Sequence, residues 1–314
     1  MDIHRVAVAG TGMMGPGIAV TFALGGFETI LVSRSQENAL KGVAAARALA
    51  DKLLENGLSE KEQTAKAKER LSPSTDPEEA ARSAQLFVES ISENLRIKQD
   101  FFTRLDQAAP ETILCSNTSG LSITEIAAKC QKPERVLTTH FWMPPYLIPL
   151  VEVVAGQRTD LEIARQVMGV LKACGKVPVL VRKDVPGQLG NRIQYAMVRE
   201  CLHIVAEGIA TPEDVDLAIK KGFGLRLPVY GIFEHMDIAG LDLFKSIFDY
   251  LARELSDAKE TFAIHADKVA RGEVGARAGR GFLEWPEGRA DQVKARRDSF
   301  VMEFLRQERA GKLR

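Results

Sequence analysis

Short runs of apolar, β-branched residues alternate with longer stretches of helical pattern through the first half of the chain. The runs are HRVAVAG, ETILVS, QLFVES, TILCSN, RVLTTHF, LVEVVAG and VPVLVR, and each reads as a strand. Helix-like segments at residues 13–24, 36–54, 95–109 and 161–173 lie between several of them. Alternation at this spacing predicts an α/β fold with a Rossmann-like, doubly wound and mostly parallel sheet. The strands are close to continuously apolar, as expected of a sheet covered on both faces.

Two stretches depart from this rhythm. Residues 36–70 are long for one crossover, rich in Ala, Lys and Glu, and contain NGLSEKE. That is a helix stop followed by Ser59 and Glu62 at capping-box spacing. It predicts a helical hairpin protruding from the sheet, either a solvated excursion or a lid on the substrate. Past DVPGQLGNR the strand signal fades, and from Asn191 onward the pattern is nearly all helical. Turns fall at Ala210-Thr211-Pro212 and at residues 222–228, glycine-rich GARAGRGFLEWPEG breaks the helices, and a charged tail helix closes the chain. The expected organisation is a dinucleotide-binding domain over residues 1–187 and an all-α C-terminal domain over residues 188–314.

Charge narrows the partners. Lys plus Arg equals Asp plus Glu at 42 each, so no basic excess points to nucleic acid or an anionic membrane. Cys115, Cys130, Cys174 and Cys201 are far apart and form no metal-ligand spacing. They read as reduced thiols of a cytoplasmic protein, with no metal site. No apolar run approaches the ~20 residues that span a bilayer.

Gly10-Thr11-Gly12-Met13-Met14-Gly15 is GxGxxG placed after a strand and opening a helix. The first glycine makes the turn, the second lets backbone approach a pyrophosphate, and the third permits close helix–sheet packing. The helix N-terminus adds N–H donors and partial positive charge, and Met13 and Met14 belong to the same loop. At the end of the second strand, NAD-binding proteins usually carry an Asp or Glu for the ribose 2′-hydroxyl. Here that position is Ser33, followed by Arg34. Without the carboxylate a 2′-phosphate meets no repulsion, and the guanidinium can pair with it. The expected cofactor is NAD(P), leaning to NADP; the alternative is Arg34 stacked on adenine with Ser33 on the ribose of NAD.

Polar groups crowd beside the strands in SNTSGLSITEIA, RVLTTHFWMPPYLIPLVEVV and DVPGQLGNR. With GxGxxG, the ENLxxK of residues 93–98 and GRGFLEWP, this ordered set resembles the 3-hydroxyacyl-CoA dehydrogenase family over almost the whole chain. The resemblance implies that His140 is the general acid/base at the substrate oxygen and Glu152 its partner. It implies Ser119 and Asn191 as hydrogen-bonding groups on that oxygen, and Glu93, Lys98 and Asn117 as cofactor-side residues. It also implies a homodimer formed through the C-terminal domain.

The chemistry asks for such a set independently. Hydride transfer belongs to the cofactor, so the protein must move one proton and stabilise charge on oxygen. Histidine does this near neutral pH, and a carboxylate fixes its tautomer. His4, His203, His235 and His265 lack comparable settings and read as structural. One departure stands out: Met143 in HFWMPP occupies a position where the family usually has Asn, replacing an amide by a thioether that donates no hydrogen bond. PPYLIPLVEVV is also similar to the lambda-crystallin and L-gulonate 3-dehydrogenase branch, which acts on free acids. The expected reaction is reversible oxidation at C3 of a 3-hydroxyacyl-CoA. The alternatives are a free 3-hydroxy acid or sugar acid as substrate and, from another class, a non-catalytic dinucleotide-binding protein.

Overall fold

In the computed structural model, which describes residues 2–312, eight strands join in one sheet of order β3-β2-β1-β4-β5-β6-β7-β8. The strands are β1 (Arg5–Ala9), β2 (Glu28–Val32), β3 (Leu71–Ser74), β4 (Leu86–Glu89), β5 (Ile113–Ser116), β6 (Val136–Phe141), β7 (Leu150–Ala155) and β8 (Val177–Val181). All neighbours run parallel except β6 and β7. This is the doubly wound α/β sheet that the strand–helix alternation predicts. Seven strands coincide with the apolar runs. The eighth, β3, reads LSPS and carries no β signal. Pro73 cannot donate to a ladder, and β3 lies at the sheet edge, where a missing donor is tolerated.

Helices α1 (Gly15–Leu24), α2 (Gln36–Glu55), α3 (Lys61–Glu69), α4 (Pro77–Ser83), α5 (Leu95–Ala108), α6 (Ile123–Ile126) and α7 (Leu161–Ala173) cover the two faces. Alternate strand residues divide between two cores. Val6 and Val8 pack with Ile18, Val43 and Val167 of α1, α2 and α7, whereas Ala7 and Ala9 pack with Ala80, Phe102 and Ile126 of α4, α5 and α6.

The hairpin of α2 and α3 corrects two expectations. It does not protrude: Ala39, Gly42, Val43, Ala46, Ala50 and Leu53 form a buried stripe of α2, and Gln63 Nε2 donates to Leu24 O at the end of α1. Small side chains let α2 lie close to its neighbours, and a Cβ on Gly42 would sit 2.6 Å from Thr11 Cγ2. The cap of α3 is Glu60, whose N–H is bonded by Gln63 Oε1, rather than Ser59 with Glu62. Ser59 instead pairs its hydroxyl with Thr64.

Two units divide the chain: Met1–Arg192 with Val301–Arg306, and Ile193–Phe300 with Gln307–Arg314. The remaining helices are α8 (Gly190–Ala206), α9 (Pro212–Lys221), α10 (Ile232–Ala239), α11 (Leu241–Leu251), α12 (Ala263–Ala270) and α13 (Arg289–Arg309). The second unit is helical, and α8 to α12 contain no buried residue. Residues 301–306 of α13 belong to the first unit, where Met302 packs with Leu53, Leu58 and Leu147. No described helix is long and apolar enough to cross a membrane.

Candidate active site

The glycine loop follows β1 and sits where the strand order reverses, between β1 and β4, the crevice that doubly wound sheets offer to ligands. Gly10 has φ +108°, and a Cβ there would lie 2.2 Å from Ser90 O. A Cβ on Gly15 would lie 1.8 Å from Gly10 O, so both positions exclude any side chain. At Gly12 a Cβ would meet nothing within 4 Å: the space above it is open, as a diphosphate requires. The N-terminus of α1 carries no side-chain cap from Met14 and no acidic residue in its first turn. An uncapped helix N-terminus, with N–H groups on Gly15 and Gly17 and none on Pro16, and the open backbone at Gly12 fit a dinucleotide. Met13 is 79% exposed beside it. At the end of β2 the Ser33 hydroxyl pairs with Thr11 Oγ1 at 3.1 Å, and Arg34 is exposed.

The second cluster comes from the antiparallel pair. His140 on β6 and Glu152 on β7 are direct cross-strand partners, so their side chains leave the same face. His140 Nδ1 lies 2.7 Å from Glu152 Oε2, and both residues are buried. Trp142 Nε1 donates to the same oxygen at 3.0 Å. Oε1 accepts the backbone N–H of Leu189 at 2.9 Å and of Gly190 at 2.8 Å, at the start of α8. Burial raises the Glu152 carboxyl, but the bonds from His140, Gly190, Leu189 and Trp142 outweigh it and hold it down at about 2. The carboxylate is therefore ionised, and Nδ1 carries the proton. That leaves the Nε2 lone pair to accept another, and Nε2 has no hydrogen bond among the described residues.

A third group surrounds the turn after β5. Asn117 Oδ1 accepts the N–H of Phe141 at 2.8 Å and ties this turn to the end of the His140 strand, while its amide donates to Ser90 Oγ. Glu93 Oε1 accepts Thr118 Oγ1 at 2.6 Å and the N–H groups of Ser119 and Gly120. Partial burial raises the Glu93 carboxyl, yet the Thr118 bond, the charge of Lys98 and the two N–H bonds lower it overall. Asn191 Nδ2 donates to Ser119 O at 3.0 Å, which brings these two candidates together through backbone rather than side chain. Gln188, with φ +52° and buried, donates to Thr118 O alongside.

Residues 5–185 match the family model described as 3-hydroxyacyl-CoA dehydrogenase, NAD binding domain, and residues 187–285 match the C-terminal domain of the same family. The chain belongs to the 3-hydroxyacyl-CoA dehydrogenase family. It is 37% identical to a probable 3-hydroxybutyryl-CoA dehydrogenase of Bacillus subtilis, over 91% of this chain and 99% of that protein. It is 33% identical to 5-formyl-3-hydroxy-2-methylpyridine 4-carboxylate 5-dehydrogenase of Mesorhizobium japonicum, over 99% of this chain and 96% of that one. A crystal structure of a dehydrogenase of that same pyridine carboxylic acid, described as an NAD+ dependent dismutase, superposes with a TM-score of 0.90 at 29% identity. It covers 99% of this chain and 100% of its own.

The sequence points to Lys98 of ENLxxK but not to the two polar side chains Glu89 and Trp142. Lys98 is not exposed toward a cofactor: its ammonium lies 2.6 Å from Glu89 Oε1 and 3.4 Å from Glu93 Oε2, with the lysine and Glu89 both buried. Glu89 also accepts from Ile91 N and Ser116 Oγ. The only signal for Glu89 is a charge closing an apolar strand, and its partner lies on the next helix. Trp142 was hidden for a similar reason, since an aromatic beside a histidine reads as packing. Met143 is 42% exposed, beyond the histidine it follows by three positions.

Proposed function

We propose that the chain is an NAD(P)-dependent dehydrogenase that interconverts a secondary alcohol and ketone at C3 of a 3-hydroxyacyl compound, with His140 as general acid/base. The observation that carries this is the buried His140–Glu152 pair, with Nδ1 committed to the carboxylate and Nε2 without a hydrogen bond among the described residues. When bound, the nicotinamide supplies or accepts the hydride. In oxidation His140 Nε2 removes the carbinol proton, and Glu152 stabilises the imidazolium that results. Ser119 and Asn191 hold the reacting oxygen, and Asn117 keeps their turn against the histidine strand. Asn117 and Glu93 lie on the cofactor side, and the buried Lys98 supports Glu93 from behind. The four cysteines are free thiols, which supports a reducing, cytoplasmic setting.

For the acyl handle, the family and the Bacillus relative support a CoA thioester. A specific observation favours a free acid instead. The basic groups that the α2–α3 hairpin offers to a CoA phosphate are Lys52, Lys61, Lys66 and Lys68, and three of these four are engaged within the chain while Lys61 is exposed. Lys66 pairs with Glu62, Lys68 contacts both oxygens of Asp51, and Lys52 donates to Tyr146 Oη. Met302 of α13 packs against the hairpin leucines. The C-terminal family model ends at residue 285, before α13, whereas the Mesorhizobium relative matches along 99% of the chain, and its name describes a carboxylate without a thioester. On the cofactor, Ser33 in place of a carboxylate and the exposed Arg34 support NADP.

We also infer a homodimer through the helical unit. Helices α8 to α12 bury nothing, while Phe233, Ile238, Val229 and Tyr250 are each more than 75% exposed. Apolar surface of that extent is the mark of an interface.

The deciding experiment is oxidation of NADH and NADPH, side by side, with acetoacetyl-CoA and with free acetoacetate. Turnover of the free acid with NADPH is the expected result. Turnover of the thioester alone would restore the CoA reading, and NADH preference would mean that Arg34 does not select a 2′-phosphate. His140→Ala should lower turnover at least about a hundredfold while the dinucleotide still binds. Dinucleotide binding without turnover across a wider 3-keto-acid panel would leave the non-catalytic alternative.

A further inference from the structure

Glu152 Oε2 receives two N–H donors, the imidazole Nδ1–H of His140 at 2.7 Å and the indole Nε1–H of Trp142 at 3.0 Å. The indole reaches that oxygen from the strand that carries the histidine, two residues on, where the chain leaves β6. Its ring centroid lies 5.4 Å from that of His140, tilted by 51°. On its other side it occupies the space over Gly190, where a Cβ would lie 2.4 Å from Trp142 Cζ2. The same Gly190 donates its N–H to Oε1. One side chain therefore fills the gap between the acid/base pair and the start of α8 while bonding the carboxylate that links them.

A second donor on a carboxylate oxygen has two consequences. It removes a rotational freedom, because two backbone N–H groups hold Oε1 and the indole holds Oε2 toward the histidine. It also draws charge from the oxygen that stabilises the imidazolium, so the histidine releases its proton more readily. The other charged groups around the site are engaged elsewhere. Glu93 binds the turn at residues 118–120 beside Lys98, Lys98 is also paired with Glu89, and Arg192 of α8 donates to Pro186 O. None of them bonds to the His140–Glu152 pair.

We propose that Trp142 is a positioning residue of the acid/base pair, holding Glu152 Oε2 on His140 and tempering the carboxylate so that the imidazole is kept ready to accept a proton. This rests on the catalytic reading of His140, but its test does not require turnover. In the full-length protein with ¹³Cε1-labelled histidine, the His140 resonance is identified by its loss in His140→Asn and titrated by NMR. Trp142→Phe keeps a ring and removes the N–H. The expected result is a His140 midpoint raised by about half a pH unit or more. Benzothienylalanine at position 142, which replaces the N–H by sulfur at nearly constant shape, should reproduce the rise even if phenylalanine disturbs packing. An unchanged or lowered midpoint with the benzothienyl side chain would overturn the proposal and leave Trp142 as packing alone. The acidic limb of kcat/KM should move in the same direction as the midpoint. Absence of turnover with every substrate would count against the catalytic reading, while the NMR midpoint would still decide the coupling.

Discussion

Glu152 shows how much one side chain can be asked to hold. Four donors converge on it: one imidazole, one indole and two backbone N–H groups. The folded carboxyl titrates near 2 against 4.5 for its ordinary value. Its protonation is therefore postponed in the folded chain. The stability it contributes is complete above about 4.5 and is lost as the pH falls toward about 2. Glu152→Gln should lower stability at pH 7 by about 1–3 kcal/mol, because an amide cannot accept all four donors. It should also flatten the loss of stability between pH 4.5 and 2, measured by urea unfolding at several pH values. Equal acid sensitivity in the two proteins would show that other carboxylates dominate. The spacing of His140 and Glu152 is visible in the sequence, but not that a proline-containing turn makes them cross-strand neighbours.

At the scale of elements, the end of β4 and the start of α5 are joined by the buried Lys98–Glu89 ion pair. Glu89 is in register with Ala9, the last residue before the glycine loop, so the pair stiffens the floor of the cofactor crevice. Lys98→Met would leave a buried carboxylate without its cation, and should cost about 3–5 kcal/mol. The double variant Glu89→Gln/Lys98→Met should recover part of that loss in thermal or denaturant unfolding. A loss in Lys98→Met below about 1 kcal/mol would mean that the Ile91 and Ser116 bonds satisfy Glu89 on their own. The pattern of ENLxxK places Glu93 and Lys98 at one helix entrance, where the structure shows Asn94 capping α5. It says nothing of Glu89, because a pairing between strand and helix is invisible to a periodicity measured along either.

At the scale of the whole molecule, the helical unit is rich in apolar residues yet its helices α8 to α12 bury none of them. A dimer formed through this unit predicts a solution mass near twice 34.5 kDa by light scattering. Phe233→Asp with Ile238→Asp should shift the mass to that of one chain and lower the thermal midpoint, since such a unit draws stability from its partner. A single-chain mass in the parent protein would sink the dimer.

The sequence by itself determined the class of fold, the strand that ends in the glycine loop, the helical second half and the family. Each of these is written in local period or in ordered motifs, and local sterics at Gly10 and Gly15 allow little else. Tertiary structure alone decided the edge strand at Pro73, the hairpin lying against α1, the return of residues 301–306 to the first unit, and the donors on Glu152. These depend on which surfaces meet across long sequence separations. Burial and hydrogen-bond satisfaction choose those meetings, and neither is a property of any segment alone.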